Sequence, residues 1–152
     1  MRTENGECNE DILEEIVRYM DNSDRQLIYK LGMHLELLNR WLFIKNLGLN
    51  LEPYFIEKRY QQVAIYGMAD LGCRLLEELE CIGVRVSYGI DRAPLTVNVR
   101  NRIRIIEPEQ YWEKNIDAVI VTPIFYFEEL KKMIQGKVEC PIISLKEIVW
   151  RI

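Results

Sequence analysis

The chain has 152 residues, of which 49% are hydrophobic and 29% are charged, and its formal net charge is −4. This is the composition of a globular domain, and it offers no basic surface for general nucleic-acid binding. No apolar run approaches the roughly 20 residues that span a bilayer, and the acidic N-terminus lacks the apolar core of a signal peptide. Four cysteines without a CxxC pair and a single histidine predict no zinc site and suggest free thiols in a reducing cytoplasm.

The first 60 residues carry apolar residues at helical spacing and are predicted to form an α-helical N-terminal prefix, residues 1–60. One helix is predicted over residues 9–20. Ser23 followed by Gln26 has the spacing of a capping box, which predicts the start of a longer helix that ends near Gly48. Because this helix is apolar on more than one side, we expect it to contact either its own domain alone or, in addition, a second copy in a homodimer.

Residues 61–152 alternate Val- and Ile-rich runs with helical stretches and are predicted to form a second domain. Strands are predicted over residues 62–67, 84–91, 102–106, 116–122 and 140–144, and helices over residues 69–83, 108–115 and 125–136. Ser144 and Glu147 predict the capping box of a last short helix. Apolar strands with intervening helices indicate a parallel sheet covered on both faces. The expected fold class is α/β, a shortened Rossmann-like doubly wound sheet of about five strands in order 3-2-1-4-5.

A glycine turn between the first strand and the following helix is the main functional signal. It reads Gly67, Met68, Ala69, Asp70, Leu71 and Gly72, in the strand–turn–helix context of a dinucleotide-binding fingerprint. Gly67 permits the tight turn, and Gly72 lets the helix lie close to the sheet. Ala69 stands where the fingerprint has a glycine, and its methyl group is expected to push a phosphate outward. Asp70 favours the helix dipole but opposes a bound phosphate, so a helix start that binds no anion is the alternative.

Further candidate ligand contacts follow two of the other strands. Asp91, which ends the second strand 19 residues after Gly72, stands where an acid accepts hydrogen bonds from an adenosine ribose. Arg92 is placed to meet a 2′-phosphate or to stack on adenine. Thr122 and Pro123 end the fourth strand beside the first, where the crevice of such sheets binds ligands. The alternatives are a polar turn at Asp91 and Arg92 and an ordinary Thr-Pro strand exit.

Three segments of the chain together resemble a small bacterial NAD(P)-binding-type Rossmann domain, of the kind associated with glycosyltransferases and with nucleotide-sugar or surface-polysaccharide proteins. They are residues 63–92, 116–134 and 140–149, and residues 41–61 resemble the lead-in to such domains. The family pattern takes a glycine or another small residue at the position of Ala69, and an acidic residue at that of Asp70 is familiar in it. The resemblance implies NAD or NADP as the cofactor, or a nucleotide-sugar ligand, and it implies no particular reaction.

The sequence shows no complete catalytic constellation. About 30 residues follow the fourth strand, too few for the second mononucleotide half of a dinucleotide dehydrogenase. Tyr54 and Lys58 have the Tyr-x-x-x-Lys spacing of short-chain dehydrogenases, but they precede the first strand, which indicates a coincidence. His34 lies among leucines on the prefix helix, as is typical of a packed or solvent-edge histidine rather than of a general base.

Arginines alternate along the predicted third strand, at Arg100, Arg102 and Arg104. Three guanidinium groups on one strand face would suit phosphate binding. Because this strand is predicted at the edge of the sheet, we favour a second interpretation, in which the charges prevent edge-to-edge aggregation.

The function predicted from these features is a non-catalytic or accessory NAD(P)- or nucleotide-sugar-binding domain that acts with a partner protein in surface-polysaccharide metabolism. One alternative is a subunit of a nucleotide-sugar oxidoreductase or epimerase whose other catalytic residues lie in another chain. A second alternative is a protein-interaction domain with a lapsed nucleotide site. A redox sensor with a DNA-binding prefix is disfavoured, because residues 1–60 hold eight Lys and Arg against eleven Asp and Glu.

Overall fold

The computed structural model of the chain describes residues 14–16, 18–92 and 102–152. The chain divides into two compact units, Met1–Glu36 and Leu37–Ile152. The second unit contains the sheet and, from Leu37 onward, the helical segment that precedes it. None of the helices within the described ranges has both the length and the apolar character needed to cross a membrane. The division of the sequence at residue 60 stays a prediction.

The N-terminal helical segment contains α1 (Asn22–Asn46) and α2 (Glu52–Lys58). The predicted capping box at Ser23 is wrong, because α1 begins one residue earlier and the Asp24 N–H donates to Asp21 Oδ1 at 2.8 Å. The end of α1 is as predicted, since Gly48 follows the helix with a φ of +74°, a conformation that favours glycine. Half of the predicted helix over residues 9–20 lies outside the described residues, and residues 14–16, 18 and 19 are helical.

Five strands form one parallel sheet, which confirms the predicted α/β fold class and strand order. The strands are β1 (Gln62–Tyr66), β2 (Arg85–Ile90), β3 (Ile105–Ile106), β4 (Ala118–Val121) and β5 (Ile142–Ser144). Their order is β3-β2-β1-β4-β5, and every neighbouring pair is parallel. At the centre, Ile65 of β1 pairs with Gly89 of β2 and with Ile120 of β4. Every residue of β4 and the last four of β1 are buried, as expected of strands covered on both faces.

From Asp70 onward, the helices of the described residues are α3 (Asp70–Cys81), α4 (Phe127–Ile134), which follows a 3₁₀ turn at Ile124–Tyr126, and α5 (Leu145–Trp150). As predicted, α3 packs its leucines inward and is followed by Gly83, whose φ is +77°. Ser144 caps α5 as predicted, because its Oγ accepts the Lys146 N–H at 3.3 Å. Glu147, predicted to complete the capping box, instead accepts a hydrogen bond from the Tyr54 hydroxyl at 3.2 Å.

The predicted helix over residues 108–115 is wrong, because this segment is a loop whose carbonyl groups accept hydrogen bonds from side chains. Trp112 Nε1 donates to Pro108 O at 3.2 Å, and Lys137 Nζ donates to the same oxygen at 2.6 Å. The Trp112 ring is buried and lies 6.1 Å from the ring of Tyr66. Burial of this large ring stabilises the loop conformation.

The third strand is shorter than predicted, and its arginines lie before it rather than on it. β3 holds two residues and forms one edge of the sheet, and its position at the edge was predicted. Arg102 pairs with Glu80 of α3, and Arg104 pairs with Glu113 at 2.9 Å. Arg100 lies outside the described residues. The two arginines that the structure describes therefore bind carboxylates of their own chain instead of sharing a strand face.

Candidate functional site

The glycine turn lies at the carboxyl edge of the sheet, where β1 leads into α3. Gly67 has a φ of +87°, and its N–H donates to Ile90 O at the end of β2 at 2.9 Å. A Cβ atom at Gly67 would lie 2.6 Å from Pro123 Cδ. A Cβ atom at Gly72 would lie 2.1 Å from the Gly67 carbonyl oxygen. Both glycines are therefore required by the close packing of the turn against α3 and β4, as the sequence predicts.

Asp91 is tied directly to this turn. Its Oδ2 accepts the Met68 N–H at 2.6 Å, and its own N–H donates to Ile106 O of β3 at 3.0 Å. The Met68 side chain is fully buried and packs against Gly89 of β2. A Cβ atom added to Gly89 would lie 2.7 Å from Met68 Cγ. The carboxylate at the end of β2 is thus held at the mouth of the glycine turn by a short charge-assisted hydrogen bond.

Helix α3 begins at this turn without a side-chain cap. Ala69 is its N-cap residue and is exposed, and no side chain at that position accepts a hydrogen bond from the first turn. Asp70, also exposed, places a negative charge in the first turn. The backbone N–H groups of a helix start favour anions. The start of α3 therefore offers backbone N–H donors to a phosphate, but it also places the Asp70 carboxylate beside the position of that phosphate.

Thr122 lies beside the turn, as predicted from its position at the end of β4. Its Oγ1 donates to Gly67 O at 2.5 Å, and its N–H donates to Tyr66 O at 3.0 Å. The hydroxyl is buried and donates its proton within the protein. Toward a ligand, its oxygen can therefore act only as a hydrogen-bond acceptor. Pro123 packs on the Gly67 turn and is half-buried. These contacts show that the β4 end supports the turn, while direct ligand contact by either residue stays a prediction.

Arg92 is paired with a residue that the sequence did not indicate. Its Nη2 lies 2.5 Å from Glu109 Oε1, and both side chains are largely exposed. Hydrogen bonding to its own backbone and the nearby guanidinium of Arg92 lower the pKa of Glu109. Glu109 lies in the segment that was predicted as a helix, 17 residues along the chain, so no local pattern pointed to this pair.

Two more side chains at this edge were missed by sequence reasoning. Tyr66 ends β1 close to Asp91 and Arg92, and burial raises the pKa of its phenol, an effect that Arg92 opposes. The Cys73 thiol donates to Met68 O at 3.4 Å, and burial likewise raises the pKa of this thiol. A neutral thiol bonded to a carbonyl is a poor nucleophile. The Cys73 thiol therefore supports the turn through its bond to Met68 O.

A hollow of about 470 Å³ opens at the same edge, beyond the ends of β4 and β5. Phe125, Trp150 and Lys146 contribute to its lining, with the Lys146 ammonium 5.4 Å from the centre of the Trp150 ring. The neighbouring Phe127 also lines the hollow, and it packs against the core. The hollow thus combines aromatic faces with the Lys146 ammonium and with two carboxylates, those of Glu128 and Glu147.

The remaining candidate residues lie away from this edge or have structural partners. The Tyr54 hydroxyl is buried, which raises its pKa, and it donates to Glu147. Lys58 pairs with Glu57 at 3.5 Å, so the Tyr-x-x-x-Lys spacing serves packing and surface pairing. His34 is half-buried on α1. Across the residues that the structure describes, no group of three His, Cys, Asp or Glu side chains could hold a metal ion.

Comparisons of the chain with protein-family models, with curated proteins and with solved structures find no match.

Proposed function

We propose that this chain binds a nucleotide-type ligand, NAD or a nucleotide sugar, at the carboxyl edge of its sheet, and that it acts as a binding module rather than as a complete enzyme. One observation carries the proposal. The Asp91 carboxylate, which follows β2, accepts the Met68 N–H at 2.6 Å at the centre of the glycine turn. An acidic group and a phosphate-type turn, separate in the sequence, thereby form one surface.

Each part of this surface has a distinct role in the proposed complex. The Asp91 carboxylate accepts hydrogen bonds from ribose hydroxyl groups, since a carboxylate can accept several hydrogen bonds at once. The uncapped start of α3 donates N–H groups to a phosphate. The hollow lined by Phe125 and Trp150 offers aromatic faces to the sugar or base that lies beyond the phosphates.

Two features of the turn weaken the proposed binding. The exposed Ala69 occupies the place at which a phosphate approaches the backbone most closely, and the exposed Asp70 repels it. Weak binding of the phosphate groups suits a module that releases its ligand to a partner protein. The polysaccharide setting of the domains that the sequence resembles makes such a partner an enzyme of nucleotide-sugar chemistry.

The Arg92–Glu109 pair favours NAD over NADP in this proposal. A 2′-phosphate must compete with the Glu109 carboxylate for the Arg92 guanidinium, 2.5 Å away. A free ribose 2′-hydroxyl meets Asp91 without breaking that pair. Replacement of Glu109 by glutamine is therefore expected to improve NADP binding relative to NAD binding.

We do not propose that this chain catalyses a reaction alone, because two polar side chains at the turn donate their protons to backbone carbonyl groups of the protein. The Thr122 proton bonds Gly67 O, and the Cys73 thiol bonds Met68 O. Neither group is poised to exchange a proton with a substrate.

Thermal unfolding with NAD, NADP, UDP-glucose and coenzyme A tests the proposal. A ligand at 100 times its dissociation constant adds about 2.7 kcal/mol to the free energy of unfolding. We expect stabilisation by NAD or the UDP-sugar without turnover, and an improved response to NADP in Glu109→Gln. No response to any of these ligands would contradict the proposal, and turnover by the isolated chain would replace the binding module with an enzyme.

A further inference from the structure

Helix α1 has two apolar faces, and among the described residues one face is buried while the other is exposed. Leu37, Trp41 and Ile44 are buried. A second row of aliphatic side chains is between 41% and 61% exposed, and it consists of Ile28, Leu31, Leu35, Leu38 and Leu42. We call this row the α1 seam. Successive residues of a helix are rotated by about 100°, so the seam lies well away from the buried face.

The spacing of the α1 seam is that of a coiled coil. Its residues follow one another at intervals of three, four, three and four positions, and these intervals place them at alternating a and d sites of a heptad. From Ile28 to Leu42 the seam extends about 21 Å along the helix axis. Such a seam is buried by another helix with the same spacing, and a second copy of this chain supplies one.

The ends of the α1 seam carry opposite charges. The heptad continues to Asp24 in one direction and to Lys45 in the other. Lys45 bonds Glu78, yet 46% of its side chain stays exposed. In a parallel pair, Asp24 would face Asp24 and Lys45 would face Lys45. In an antiparallel pair, acidic and basic ends meet and the helix dipoles oppose each other, so this arrangement is favoured.

A groove widens the α1 seam within the second compact unit. It has a volume of about 280 Å³ and is lined by residues of α1 and α3, including Leu38, Leu42, Arg74 and Cys81. Leu38 and Leu42 belong to both the seam and the groove. The partner helix therefore finds room for its own side chains beside these two leucines, as knobs-into-holes packing requires.

We propose that the chain forms a homodimer in which the α1 seams of two copies pair in antiparallel orientation. The dimer places the two carboxyl-edge surfaces on one assembly and stands independently of what those surfaces bind. A different occupant, the predicted helix over residues 9–20 of the same chain, would leave the protein monomeric.

Sedimentation equilibrium of the full chain tests the dimer. We expect a concentration-dependent mass that approaches twice the 18.1 kDa of the chain. Leu35→Lys is expected to raise the dimer dissociation constant roughly tenfold or more, because each partner loses a buried leucine. The matched control is Phe43→Lys, which changes a residue of similar exposure on the same helix outside the seam, and this variant is expected to dimerise as before. Circular dichroism checks that both variants keep their helices.

Asp24→Asn tests the orientation. The change weakens an antiparallel dimer and reduces its sensitivity to salt, because it removes the attraction to the basic end of the partner. In a parallel dimer the same change relieves repulsion and tightens the pair. A tighter Asp24→Asn dimer would therefore overturn the antiparallel arrangement. A monomeric wild-type chain, or equal behaviour of Leu35→Lys and Phe43→Lys, would overturn the seam itself.

Discussion

The Asp91 carboxylate and the Met68 N–H lie 2.6 Å apart, although 23 positions separate the two residues in the chain. This hydrogen bond connects the end of β2 to the turn after β1, and it fixes the direction in which the carboxylate faces. An acid held in place at a glycine turn needs little reorganisation to receive a ribose, which is the physical basis of the proposed ligand site.

Ala69→Gly is predicted to tighten ligand binding. The substitution removes the methyl group next to the phosphate position. A single carbon atom in a binding pocket changes affinity by about tenfold or more, so we expect a gain of about tenfold. The fold should not suffer, because glycine is a better N-cap residue than alanine. Titration calorimetry with NAD measures the change. Unaltered affinity in Ala69→Gly would show that no phosphate approaches this part of the turn.

Gly72→Ala is predicted to destabilise the protein by about 1–3 kcal/mol, because overpacking forces the backbone to move. The added Cβ atom would lie 2.1 Å from Gly67 O. Gly136→Ala is the matched control, since nothing lies within 4 Å of its added Cβ atom. Urea denaturation compares the two. Similar stability of both variants would mean that α3 does not pack on the turn as described.

The sheet and the glycine turn were predictable because their signals are local. Short runs of Val and Ile define β1 and β4, and Gly67 stands directly after a strand. The loop at residues 108–115 was not predictable, because its conformation depends on the burial of Trp112 against Tyr66, which belongs to a distant strand. Local pattern favoured a helix there, and tertiary packing overrode it.

The details of the candidate site were less accessible to sequence reasoning than its location. The positions of Asp91 and Thr122 at strand ends follow from the strand order. Their partners do not, because the bond from Met68 to Asp91 and the pair of Arg92 with Glu109 join residues 23 and 17 positions apart. Side-chain pairing across loops has no period in the sequence, so no pattern indicates it.

Glu78→Ala is predicted to lower the free energy of unfolding by about 1–3 kcal/mol, because it leaves a buried N–H group without its acceptor. Glu78 is buried, and it accepts hydrogen bonds from Lys45 Nζ at 2.5 Å and from the N–H of the buried Leu51 at 3.1 Å. Glu77→Ala changes a neighbouring half-buried glutamate that pairs with Arg74 at 3.0 Å, and it should cost less than about 1 kcal/mol. Equal costs in urea denaturation would show that the buried carboxylate does not connect α1 to α3.

The stability of the protein is predicted to fall between pH 10 and pH 12. Burial raises the pKa of Tyr88 from 10.0 to about 12, and its hydroxyl donates to Glu113 O at 2.8 Å. A raised pKa means that the folded state favours the neutral phenol, so the stabilisation is complete below pH 10 and is lost as the pH rises through 12. Burial raises the pKa of Tyr60 and Tyr66 in the same direction.

Tyr88→Phe separates the contribution of Tyr88 from the others. At pH 7 the variant should be less stable by about 1 kcal/mol, the usual value of one hydrogen bond. Its stability should then fall less steeply than that of the wild type in alkaline solution, as followed by denaturation at a series of pH values. A parallel decline of both proteins would assign the alkaline loss to other groups.

Titration calorimetry of Asp91→Asn and Asp117→Asn with NAD tests the ligand site most directly. Both aspartates accept backbone N–H groups, Asp91 at the carboxyl edge of the sheet and Asp117 at the amino edge, where its Oδ2 lies 2.7 Å from Gln61 N. We predict that Asp91→Asn weakens NAD binding about tenfold or more, as the loss of a charged hydrogen-bond acceptor implies, and that Asp117→Asn binds as the wild type does. Equal affinities in the two variants would contradict the account.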